Sequence, residues 1–435
     1  MISPVWVLAA GFVALLALNV PVAVAICLAT WLAAVVAIGS PEIAAAALAE
    51  RMATGVGSFS LLAIPFFILS GLLMARGGVA QRLMDLAAAL VGRFPAGLAQ
   101  VNVMSCMLFG SVSGSATAAV SSIGGFLVPE MERRGYRRET GVALTVTGAT
   151  TGLLIPPSNI MIVYALAAGG TVSVAALFAA GIVPGLVFGT ALMATAWWTL
   201  RGSGAGAGLG VLERPAVGRA LGRAALSLSL IGVVLGGILG GVFTATEAAA
   251  VAVVYAGTLT LGVYREVRWR ELAGILVQAG MTTGVVFLLI ATSMAMSWIL
   301  ALEDVPARAS AWLLGMAGSP VLVLLGMNLL LLAVGTFMDM TPAVLIFTPI
   351  LGPVAAELGM DPVHFGIMLI ANLCIGLCTP PVGTCLFVGC GVGGVTLGRA
   401  SRAAVPFVGA LGLALLAITY VPGLSLWLPG VLGMR

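Results

Sequence analysis

TGATTGLLIPPSNIMIVYA, Thr147–Ala165, and NLCIGLCTPPVGTCLFVG, Asn372–Gly389, decide the fold. Each is an apolar run of membrane length interrupted by a proline pair, Pro156-Pro157 and Pro380-Pro381, and the pairs stand 224 residues apart. Two consecutive prolines remove two backbone donors and clash with the preceding turn, so each pair breaks its helix. In lipid the freed carbonyls need partners, and such a break survives only where it is buried or lines a cavity. Broken helices at matching places in two halves of a chain point to the binding site of a transporter.

The rest of the chain supports a membrane reading. It is 61% hydrophobic and 8% charged, with a mean hydropathy of +1.19. Apolar runs of about 18 residues or more recur from end to end, which marks an all-α polytopic protein. The short alternating segments of a transmembrane barrel are absent. The 58 glycines suit close helix packing. Every basic residue is arginine, which excludes lysine Schiff-base chemistry and a P-loop lysine. The net charge of +4 is spread over short loops and reads as topology, not nucleic-acid binding. Cys374, Cys378 and Cys385 fall at helical spacing, but with one histidine in the chain they read as small packing residues and not a metal site. Met1–Leu15 lacks the basic start of a standard signal peptide.

The 224-residue offset extends past the prolines. It maps Pro129 to Pro353, Gly135 to Gly359, Gly152 to Gly376 and Leu153 to Leu377. It sets the break at Val20-Pro21 against Thr244-Ala245, and Ser60–Met74 against Gly284–Trp298. The expected domains are two structural repeats, residues 1–215 and 216–435. Arginines cluster at Arg76, Arg82 and Arg93, at Arg133–Arg138, from Arg201 to Arg223, from Arg265 to Arg270, and at Arg399 and Arg402. The alternating loops hold Glu42 and Glu50, Gly169–Val172, Glu303-Asp304, and Glu357 with Asp361. The positive-inside rule places the arginine set in the cytoplasm, with Arg51 and Arg308 as outer exceptions. Spans near 5–19, 20–39 and 58–75 then precede a segment, about 97–129, whose flanks are both basic. It must enter and return as a re-entrant hairpin. The broken helix at about 139–168 and a span at 177–200 follow. In the second half the hairpin, about 320–353, has acidic flanks and enters from outside, and the broken helix covers about 363–395. Five spans per repeat invert the second repeat relative to the first.

The hairpin turns carry the candidate chemistry. The first reads Gly110-Ser111-Val112-Ser113-Gly114-Ser115-Ala116-Thr117, with hydroxyls and carbonyls that offer hard oxygens to a cation; the plainer alternative is a small-residue packing face. The second reads Gly335-Thr336-Phe337-Met338-Asp339-Met340-Thr341-Pro342. Asp339 is an intramembrane carboxylate and thus a functional candidate; its structural alternative is to cap the helix that opens near Thr341-Pro342. The breaks add Ser158 and Asn159 after the first proline pair, and Thr379, Gly383 and Thr384 around the second. Half-helix N-termini suit a carboxylate and half-helix C-termini suit Na⁺. Glu247, in Thr244-Ala245-Thr246-Glu247, reads as a capping box. His364 is expected on a loop beside the outer acidic residues, without a proton-relay role.

The assembled motifs resemble the large, DctM-type membrane subunit of tripartite ATP-independent periplasmic (TRAP) transporters. The matching stretches are SFSLLAIPFFILSGLLMARGGVAQRLMDLAAALVG from Ser58, VNVMSCMLFGSVSGSATAAVSSIG from Val101, IPPSNIMIVYA from Ile155, GGVFTATEAAAVAVVYA from Gly240, MDPVHFGIMLIANLCIGLCTPPVGTCLFV from Met360 and SLWLP from Ser425. At Ser115-Ala116-Thr117-Ala118 many relatives place an aspartate. The resemblance implies an elevator-type ion-transporter-like fold and Na⁺-coupled import of a small organic acid across the bacterial inner membrane. It also implies two partners, a small four-helix membrane subunit and a soluble periplasmic substrate-binding protein. It places one Na⁺ at Ser111, Ser113 and Gly114 against the break from Pro156 through Ser158 to Asn159. It places another at Gly335, Thr336 and Asp339 against the break from Thr379 through Pro380 to Gly383. Ser113, Ser115, Ser158, Asn159, Thr341 and Thr384 are the expected substrate contacts. Competing classes are a membrane-embedded hydrolase, for which no paired carboxylate or Ser/His set is visible, and a passive channel, which needs no pair of inverted hairpins. The resemblance leaves the substrate open among dicarboxylates, keto acids, sugar acids and sulfonates.

Overall fold

The computed structural model describes residues 3–201, 217–317 and 319–434. Among them there are helices and no strand. The first half comprises α1 (Pro4–Ala17), α2 (Val22–Ile38), α3 (Pro41–Val56), α4 (Ala63–Arg76), α5 (Val79–Val91), α6 (Gly97–Ser113), α7 (Ala116–Arg133), α8 (Arg138–Thr151), α9 (Asn159–Ala167) and α10 (Val174–Leu200). The second comprises α11 (Val217–Leu239), α12 (Ala245–Gly257), α13 (Trp269–Leu302), α14 (Val305–Ala317), α15 (Pro320–Phe337), α16 (Met340–Glu357), α17 (Pro362–Gly376), α18 (Thr384–Gly393), α19 (Leu397–Tyr420) and α20 (Gly423–Val431). The boundary expected at 215/216, and Arg214 with it, lies outside the described residues.

Local chemistry sets these boundaries. Ser40, Ser115, Ser173 and Ser319 each accept a backbone N–H three residues ahead, which starts α3, α7, α10 and α15. Thr244 and Glu247 form the reciprocal capping box of α12. Asp361 caps α17 by accepting from the Val363 amide, with Pro362 at the first helical position. The helix limits recur at the sequence offset: α16 covers the residues 224 beyond those of α7, and α15 lies within two residues of the shifted α6. The shifted range of α3 and α4 falls on the single 34-residue helix α13, so one half bends where the other runs straight.

Eight helices among the described residues are long and apolar enough to cross a membrane. The pair Arg138–Leu154 and Asn159–Ala167 passes the same test as one span bent by 53° at the first proline pair. Trp6, Trp198 and Trp269 are exposed and lie near helix ends, as interfacial aromatics do. α1–α4 pack with α11–α13 in one group. α6–α10 pack with α15–α19 in a second. α5 and α14 lie between the groups. Arg82 of α5 donates to Glu266 at 2.8 Å, stacks 3.6 Å over Tyr264, and donates to the Gly78 carbonyl at 2.9 Å, which fixes α5 to the segment after α12.

Three expectations need correction. Residues 41–56 and 79–91, read within charged loops, are helices α3 and α5, and 305–317, between the Glu303-Asp304 loop and the second hairpin, is helix α14. In α5 the apolar Val79, Leu83, Leu86 and Ala87 share one buried stripe, while Gln81 and Asp85 interact on the outer face. The hairpins end at Arg133 and Glu357, beyond the expected 129 and 353. His364 is not on a loop: it sits in the first turn of α17, buried, with Nε2 3.2 Å from the Thr419 carbonyl oxygen. The outer exception Arg51 has a separate role, since its guanidinium stacks 5.5 Å from the Trp298 ring.

The charge pattern makes a topological prediction. Arg133→Cys and Glu357→Cys, placed one at a time in exposed segments, are expected to react with an impermeant maleimide from opposite faces of the membrane. Reaction of both from one face would remove the inverted relationship of the two halves.

Candidate functional site

Both hairpins turn through glycine or an open cap. α6 ends at Ser113, and Gly114 adopts φ +63°, a left-handed conformation that costs glycine little. Its amide donates to the Gly110 carbonyl at 2.8 Å. Ser115 then starts α7, with its Oγ accepting from the Ala118 amide and lying 3.2 Å from Thr117 Oγ1. Ser113 Oγ accepts from the Ser115 amide at 3.4 Å. The second turn joins α15 to α16 through Met338 and Asp339. Asp339 holds the N-cap position of α16, yet its side chain makes no capping bond. No cation among the described residues is within ion-pair distance of it. Its side chain has accessible surface and faces a cavity.

The breaks pack directly behind these turns. Gly110 of α6 meets Gly152 at the end of α8 so closely that a Cβ on Gly110 would lie 2.9 Å from Gly152 Cα. Gly335 of α15 and Gly376 of α17 repeat the arrangement. The Thr336 carbonyl accepts the amides of Val382 and Gly383, both at 3.2 Å, which ties the second turn to its break. At Gly383, φ +41°, the carbonyls of Leu377 and Thr379 crowd the position a Cβ would take. Both Pro-Pro bonds are cis. The two breaks also touch each other: Thr150 Oγ1 and Cys378 Sγ are 3.2 Å apart.

One cavity of about 700 Å³ opens between the turns and the α4–α13 group. Ser113, Gly114, Ser115, Asn159, Asp339, Thr341 and Thr384 line it. Five of the six expected substrate contacts are therefore on its wall. Ser158 is not. It is buried behind the wall at the N-cap of α9, and its Oγ has no hydrogen-bond partner among the described residues. Of the residues expected to hold Na⁺, Ser113, Gly114 and Asp339 line the cavity, whereas Ser111, Pro156, Gly335, Thr336, Thr379, Pro380 and Gly383 stand off its wall. Ser111 Oγ donates to the Leu108 carbonyl at 2.9 Å, and Thr336 Oγ1 to the Ala333 carbonyl at 2.7 Å. The hydroxyl of Thr379 donates to the Ile375 carbonyl. Thr384 Oγ1 is buried and unpartnered.

The electrostatic sense of the cavity follows from helix direction. The first turns of four helices line it: α7 at Ala116 and Thr117, α9 at Asn159, α16 at Met340 and Thr341, and α18 at Thr384. Each N-terminus carries unsatisfied N–H groups and about half a positive charge. The C-terminal ends at Ser113, Leu153 and Leu377 line the same space and offer carbonyls. An anion and a cation can therefore be held side by side by backbone alone. From the other group come Gly71, Arg76, Gln278 and Thr282, none of which the sequence reading placed at a site. The isolated polar pair Gln278 and Thr282 in the apolar run of α13, four residues apart and so on one face, was the available signal.

Residues 9–424 match the family described as tripartite ATP-independent periplasmic transporter, DctM component. The chain belongs to the DctM family. It is 41% identical over 384 residues to the C4-dicarboxylate TRAP transporter large permease protein DctM of Pseudomonas aeruginosa, covering 86% of this chain and 87% of that one. It is 38% identical over 429 residues to the isethionate TRAP transporter permease protein DctMQ of Oleidesulfovibrio alaskensis, covering 99% of this chain and 67% of that one. The fold is similar to the crystal structure of the Alcanivorax borkumensis YdaH transporter, described as having an unusual topology, with a TM-score of 0.65, 13% identity and 88% of each chain covered. DctM proteins are transporter permeases, so the chain is a multi-pass membrane protein of transport and the hydrolase alternative falls away.

Proposed function

We propose that this DctM permease is a Na⁺-coupled importer of a small organic acid in the bacterial inner membrane. It receives substrate from a soluble periplasmic binding protein and works with a small four-helix membrane subunit. The observation that carries this reading is the convergence of four helix N-termini on one cavity beside the carboxylate of Asp339. The N-termini favour an anion, and the carboxylate favours a cation next to it. Two further features support coupling. The hydroxyls of Ser158 and Thr384, one at each break, are buried with no hydrogen-bond partner among the described residues, and unmet oxygens of this kind suit a dehydrated ion. The first Na⁺ is assigned to the region of Ser111, Ser113, Gly114 and the Pro156–Asn159 break. The second goes to Gly335, Thr336, Asp339 and the Thr379–Gly383 break. The relatives' named cargoes, a C4-dicarboxylate and isethionate, share an acidic group, which supports an anionic substrate here.

In this reading α6–α10 and α15–α19 form two repeats of one moving unit that slides against α1–α4 and α11–α13 in an elevator cycle. The cavity reaches Arg76, in the last turn of α4 and part of the Arg76, Arg82 and Arg93 cluster that the charge pattern assigns to the cytoplasm, so the cavity in this reading opens toward the cytoplasm. The test is uptake of succinate and isethionate into proteoliposomes holding the permease, its small subunit and the binding protein. Uptake is expected to saturate and to require an inward Na⁺ gradient. Equal uptake with K⁺ in place of Na⁺ would overturn the coupling; uptake linear in substrate would point to a channel.

A further inference from the structure

We propose that Arg76 and Gln278 form the acid-recognition pair of the static wall, and so determine which anions the cavity accepts; this rests on the organic-acid reading above. Arg76 ends α4 in the first half and Gln278 lies on α13 in the second. Arg76 Nη2 donates to Gln278 Oε1 at 2.8 Å, and both side chains line the cavity. That bond is the guanidinium's one polar contact among the described residues, and no carboxylate lies within ion-pair distance of it. Among the described residues nothing else binds its remaining N–H groups, which leaves them to a ligand. Arg82, Arg134, Arg137 and Arg138 by contrast all have acidic partners.

The charge of the wall makes the pairing informative. Among the cavity-lining residues Arg76 is the one cation and Asp339 the one anion. Once a Na⁺ balances Asp339, the lining is left with a single positive side chain opposite four helix N-termini. A guanidinium held in place by a glutamine presents a preset fork to a carboxylate or sulfonate. A substrate with one acid group on the helix N-termini would place a second acidic or strongly polar group on Arg76. Two-ended anions are thereby favoured over monoacids and neutral sugars. A simpler role for Arg76 also exists: a basic residue in the last turn of a helix offsets the helix dipole and fixes topology.

The experiment separates these roles. A single Thr282→Cys reporter is placed on the cavity wall, one helical turn from Gln278, with the partly exposed Cys27 and Cys390 replaced by alanine. In the full chain, its labelling rates by an anionic methanethiosulfonate (ethylsulfonate) and a cationic one (ethyltrimethylammonium) are compared. Arg76→Gln is expected to lower the anionic-to-cationic rate ratio about tenfold, since one charge within a few ångströms acts oppositely on the two probes. Arg76→Lys keeps the charge and should keep the ratio. Succinate with Na⁺ should slow labelling in the parent, at least tenfold less well in Arg76→Lys and Gln278→Ala, and not at all in Arg76→Gln. A ratio that moves less than twofold in Arg76→Gln overturns the proposal, as does full succinate protection in that variant. If the ratio falls but a neutral sugar protects and no acid does, the pair is an anion-attracting wall without an acid substrate, and the organic-acid reading is what fails.

Discussion

Asp339→Asn is expected to raise the Na⁺ concentration for half-maximal uptake at least tenfold while the protein still inserts and folds. The substitution isolates charge. Asparagine is as good a helix N-cap as aspartate, and Asp339 makes neither a capping bond nor an ion pair that the change would remove. What disappears is one full negative charge on the cavity wall next to the second break. A contact to a charged group contributes about 1.5–3 kcal/mol, which corresponds to roughly ten- to a hundredfold in affinity. Uptake against Na⁺ concentration in proteoliposomes gives the number directly. Half-saturation within twofold of the parent would leave Asp339 with no part in coupling.

The elements visible in the sequence are those with local causes. A proline pair breaks a helix whatever surrounds it, and Gly114 marks a turn because few other residues take φ +63°. Thr244 and Glu247 cap α12 through atoms three residues apart, so the motif is complete in four letters. The missed helices were also local in part. Val79, Leu83, Leu86 and Ala87 recur at helical spacing, but Arg82 and Asp85 drew attention to a loop. His364 was misplaced although Asp361-Pro362 is a helix-start signature, an N-cap followed by proline at the first position. Arg76 and Gln278 could not be found this way. Their meeting depends on how α4 and α13 cross, 202 residues apart in the chain, and one sequence carries no signal for that distance. The same holds for Ser158: its type and position were legible, but its burial behind the cavity wall follows from how α9 is seated.

Gly376→Ala is expected to cut uptake at least tenfold and to weaken Na⁺ dependence with it. A Cβ on Gly376 would lie 2.6 Å from both Cα and C of Gly335. The obstacle is backbone, so no rotamer change relieves it, and α15 must move away from α17. Overpacking of this kind costs about 1–3 kcal/mol. The movement also pulls on the Thr336 carbonyl, which holds the amides of Val382 and Gly383. Those bonds join the hairpin turn to the break, so the proposed second Na⁺ site loses its register as the helices part. Gly152→Ala should act alike in the first half, where its Cβ would fall 2.7 Å from Gly110 Cα. Gly125→Ala is the control, because nothing lies within 4 Å of a Cβ there and alanine favours the helix. Thermal unfolding in detergent separates misfolding from a displaced site: a parental transition with lost Na⁺ dependence assigns the effect to register. Parental uptake by Gly376→Ala would show that the hairpin and the break need not approach this closely for transport.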